Sequence, residues 1–94
     1  MTVLAGHPVA DHGLAHGHQL VALAEGAVGI YRELLDLAKI RRAAGKSSQL
    51  DVVYARAALE TAQSDLEAAR DSYGKARRAL EVLLGRYPAS EIEG

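Results

Sequence analysis

The sequence predicts an all-α fold: one long antiparallel helical hairpin of the coiled-coil kind. Three observations carry this expectation. Apolar residues recur at spacings of three and four through two long segments. Hydrophobic residues make up 49% of the chain but aromatics only 4%, all of them Tyr, so Ala and Leu supply the apolar surface, which suits closely spaced helices. A single short polar stretch around Gly45 separates the two segments, and so short a connection makes them antiparallel neighbours. With 94 residues the chain is one small domain at most, and chains of this size bury a modest fraction of their surface. A partner or self-association would therefore help it.

Residues 1–18 are rich in Gly and His, with Gly6, Pro8, Gly13 and Gly17 spread through them. Each glycine costs ~1 kcal/mol in a helix relative to Ala, so this zone reads as a flexible lead. The hairpin proper is expected over 19–88. Its first helix, about 19–44, carries two adjacent apolar stripes. One runs Leu20, Leu23, Ala27, Ile30, Leu34, Leu37; the other runs Ala24, Val28, Tyr31, Leu35, Ala38. A helix packed on one neighbour needs one such seam, so two imply neighbours on two sides. Gly26 and Gly29 weaken the helix locally and read as tolerated surface glycines.

The turn, 45–48, has its own chemistry. Lys39, Arg41 and Arg42 sit where cations complement the carbonyl end of a helix. Gly45 is able to take the left-handed conformation that ends it. Ser48, with Asp51 three residues on, matches a capping box, although Asp is shorter than the usual Glu. The second helix, about 49–84, has the cleaner seam: Val52, Ala55, Leu59, Ala62, Leu66, Ala69, Tyr73, Ala76, Leu80 and Leu83. Helix packing is assigned to Leu59, Leu66, Tyr73, Leu80 and Leu83. Glu67 with Arg70 and Asp71 with Lys75 form surface pairs on a solvated face. Gly85 and Pro88 mark the stop, and residues 89–94 form a short acidic tail.

Several function classes drop out. The net charge of -1 argues against a nucleic-acid binder held by bulk electrostatics, and Arg77 with Arg78 is too small a basic spot to change that. With no Cys, disulfides, thiolate metal sites and cysteine nucleophiles are absent. Glu25, Glu33, Asp36 and Lys39 interrupt the most hydrophobic region, so no direct membrane insertion by a helix is expected. The first ten residues lack a basic region followed by an apolar run, so no signal peptide is read there. His7, His12, His16 and His18 cluster near the start, and in a helix His12 and His16 would share one face at a spacing that chelates zinc or copper. Gly13 and Gly17 loosen that segment, and the reading taken is a lead without a metal. Ser47 and Ser48 have no base placed to activate them, and Tyr73 occupies a seam position, so neither catalysis nor a cofactor is expected.

The turn and the stop together resemble the TolC-like outer membrane factor family, the trimeric exit ducts of Gram-negative efflux and type I secretion systems. The matching stretch runs from Tyr31 to Glu91. Within it Arg41, Gly45, Ser48, Leu50, Asp51, Val52 and Ala55 match the family's helix end, turn and Ala-rich second helix; Leu83, Leu84, Gly85, Arg86 and Pro88 match the end of its first repeat. The resemblance implies a fragment of a periplasmic α-barrel: a passive duct wall, packed against other hairpins of the duct. Its tip would meet a periplasmic adaptor protein through Arg42, Gly45, Lys46, Ser48, Leu50 and Asp51. Arg42 stands where the family commonly has an aromatic, and Lys46 where it commonly has Leu. Periplasm and outer membrane are the implied location. The alternative is a free-standing, self-associating helical hairpin with no transport role, motivated by the apolar surface a single hairpin leaves exposed.

Overall fold

A computed structural model describes residues 2–85 of the chain, with side chains from residue 13 onward. It holds two helices and, among the described residues, no strand. Helix α1 spans Thr2–Ala43 and helix α2 spans Gln49–Gly85. They fold back on one another into a rod of 68 × 21 × 16 Å.

The turn forms because each helix end closes its own hydrogen bonds. Gly45 has φ +73°, a conformation in which a Cβ is strained. Around it the Gly45 amide donates to the Arg42 carbonyl at 2.9 Å, and the Lys46 amide to the Arg41 carbonyl at 2.8 Å. That nested pair is a Schellman motif, which satisfies carbonyls the helix end would otherwise leave open. Across the turn the Asp51 amide donates to Ser48 Oγ at 3.3 Å, while the Ser48 amide donates to Asp51 Oδ2 at 3.2 Å. The capping box is thus closed in both directions, short Asp side chain included.

Side-chain packing is confined to one seam. Val28 and Leu35 of α1 meet Val52, Leu59, Ala62 and Leu66 of α2, with Val21, Ala24, Ala38 and Ala55 packed around them. Small Ala at alternate seam positions lets the helices approach closely. The seam loosens away from the turn. Tyr73 and Leu80 are half-buried, and Leu83 is 49% exposed. Of the residues assigned to helix packing, Leu83 is thus the most open on the hairpin.

A second difference concerns the start. The flexible lead expected over 1–18 gives way to helix from Thr2, well before residue 19. Gly17 shows why. A Cβ built there would lie 3.1 Å from Cδ1 of Tyr73, so the missing side chain is the space into which the Tyr73 ring packs. Packing against a neighbour outweighs a local propensity of ~1 kcal/mol. Gly26 and Gly29, by contrast, have nothing within 4 Å of a built Cβ. The expected tail at 89–94 and the stop at Pro88 lie outside the described residues.

Candidate functional site

Two surfaces stand out. The first is the outer face of α1. Of its two apolar stripes, only the one containing Ala24, Val28, Leu35 and Ala38 faces α2. The other stays open: Leu23 is 70% exposed and Ile30 59%, with Leu20, Leu34 and Leu37 also exposed along the same line. Five large aliphatic side chains in one helical row form a contiguous apolar strip, the kind of surface that marks an interaction site.

The second is the tip. The turn brings Arg42, Gly45, Lys46, Ser48, Leu50 and Asp51 to one end of the rod, and all six are exposed. Ser48 and Asp51 are engaged with each other through the capping box, and Gly45 supplies the reversal, so their roles in the fold are structural. Arg42, Lys46 and Leu50 project from that frame. Arg41, absent from the expected tip residues, also belongs to it: its Nη2 donates to the Lys46 carbonyl at 3.4 Å. Ser47 Oγ is buried in the turn and has no hydrogen-bond partner among the described residues.

Beside the turn, Lys39, Arg42, Ala43, Gln49, Val52 and Arg56 line a groove of about 260 Å³ between the helix ends. Sequence reasoning missed Arg56, which lines the groove from α2 together with Lys39 of α1.

The shaft carries two further open grooves. In one, Arg70 Nη2 lies 3.1 Å from Glu25 Oε2, an ion pair between the helices flanked by Arg32 and Glu67. Both partners are more than half exposed, so solvent screening leaves the pair little weight. The other is floored by Ala24, Ala27, Ala58 and Ala62. Farther along, His18 stands edge-on to Tyr73 at 6.0 Å, with the Arg77 guanidinium 6.0 Å from the centre of the same Tyr73 ring. Such edge and cation–π contacts hold the Tyr73 ring in place.

His16 is exposed, whereas the His12 side chain lies outside the described residues. Among the described residues no group of three or more His, Cys, Asp or Glu is placed to hold a metal ion, and no helix is long and apolar enough to cross a membrane.

Comparison with known proteins adds one finding. A family model described as "Outer membrane efflux protein" matches residues 16–86, more than half of the chain. No curated protein and no solved structure matches it.

Proposed function

The chain belongs to the outer membrane efflux protein family, and on that premise we propose that the hairpin is a segment of the periplasmic α-barrel of a TolC-like duct. In this reading it is a passive wall element with no catalytic step. Its helices stand beside those of other hairpins, and its tip meets a periplasmic adaptor through Arg42, Lys46 and Leu50. The duct spans periplasm and outer membrane, and the driving energy comes from the partner proteins.

The observation that carries the reading is the open stripe on α1. A helix that packs on α2 with one stripe and keeps a second, equally regular stripe free is built to touch neighbours on two sides. A barrel wall makes that demand of every helix. Family membership and the closed, rigid turn support the same reading.

The stripe also supports a second reading, a free-standing hairpin that self-associates. Photo-crosslinking in the native cells separates the two. A crosslinker at Ile30 is expected to capture neighbouring helices of the duct, and one at Lys46 an adaptor. Capture of only a second copy at Ile30, with nothing at Lys46, would favour the self-associating module. Silence at both positions would remove both readings.

A further inference from the structure

We propose that the groove beside the turn, lined by Lys39, Arg42 and Arg56, is a docking site for a carboxylate-rich segment of a partner protein. The site deepens the tip contact described above and rests on that reading for its setting.

Charge is distributed unevenly along the rod. Residues 39–56 carry five cations, Lys39, Arg41, Arg42, Lys46 and Arg56, against one carboxylate, Asp51. The rest of the chain carries six cations against eleven carboxylates. The near-neutral total conceals a basic tip on an acidic shaft. Asp51, whose Oδ2 accepts the Ser48 amide in the cap, offsets one of the five cations and leaves an excess of four.

Within the groove no acidic side chain is among the lining residues. The ion pairs among the described residues, Arg70 with Glu25 and Lys75 with Asp71, lie on the shaft. Lys39, Arg42 and Arg56 therefore face one groove with no salt-bridged carboxylate among the described residues. The helix dipole accounts for Arg42 in the last turn of α1. It does not account for Arg56, which stands near the amino end of α2 and gains nothing from that field. Like charges gathered from two helices repel unless an anion joins them, and guanidinium groups match carboxylates with paired hydrogen bonds.

The shape selects a peptide over a bilayer. The groove is concave, with buried Val52 and with Ala43 in its lining, and Val53 and Leu50 stand exposed on the same end of α2. Acidic residues interleaved with aliphatic ones would meet both the cations and this apolar rim.

The test uses the whole chain and a fluorescein-labelled peptide of alternating Glu and Leu, followed by fluorescence anisotropy. Binding is expected, weakening as salt rises. Lys39→Gln/Arg42→Gln/Arg56→Gln is expected to weaken it about tenfold, the scale of three exposed ion pairs. A shaft control with the same charge loss, Arg70→Gln/Arg77→Gln/Arg78→Gln, is expected to bind nearly as the parent does. Circular dichroism checks that both variants keep their helices. The proposal is overturned by no binding, by equal loss in both variants, or by equal binding of a Gln/Leu peptide. It is also overturned by preference for phosphatidylglycerol vesicles, or by sedimentation showing that the tip variant merely dissociates a self-associated chain. Crosslinking at Lys46 reports on the adaptor contact independently, so loss of the groove leaves that contact standing, and the reverse.

Discussion

Gly45 and Gly26 show that one residue type does opposite things at two places. At Gly45 the backbone sits at φ +73°, so Gly45→Ala is expected to destabilise the hairpin by about 1–2 kcal/mol, measured by thermal unfolding. At Gly26 the backbone is helical and a Cβ meets nothing within 4 Å. Gly26→Ala is therefore expected to stabilise the isolated chain by about 0.5–1 kcal/mol in the same measurement. Gly17 follows a third rule, set by the Tyr73 ring across the seam. The first two roles are legible in the sequence, because a helix end flanked by Arg42 and Ser48 is local chemistry. Gly17 is not legible, because nothing near it in the chain reveals that Tyr73 lies opposite.

At the scale of the element, α2 is not uniform. Leu66 is 9% exposed and sits among Val28, Leu59 and Ala62, whereas Leu83 is 49% exposed. Leu66→Asp places an unpaired charge in the seam and is expected to abolish the helical circular dichroism signal at ordinary temperature. Leu83→Asp is expected to shift the melting curve little, within about 0.5 kcal/mol, as other exposed substitutions do. A flat response to Leu66→Asp would mean that the seam has been assigned to the wrong face. The spacing of three and four identifies both residues as seam positions, and the period alone does not say where the seam stops. The two stripes on α1 are likewise both visible in the sequence, but only contact with α2 shows which of them is left open.

At the scale of the whole molecule, the rod has a thin core and a long open flank. Among the described residues no side chain is fully enclosed, and the hairpin's buried apolar side chains come from a single seam. Leu23→Gln/Ile30→Gln is expected to leave the helicity of the isolated chain unchanged while removing its association with other helices, read by sedimentation or by crosslinking in cells. Loss of helicity in that variant would show the stripe to be part of the hairpin's own core.

The turn has a mechanical consequence. Hydrogen bonds fasten the carbonyls leaving α1 and the amides entering α2 to groups a few residues away, with Gly45 as the pivot between them. Such a knot has little slack to absorb a push or a pull. A load placed on the Lys46 end is carried up both rods at once, so the two shafts tilt as a single lever.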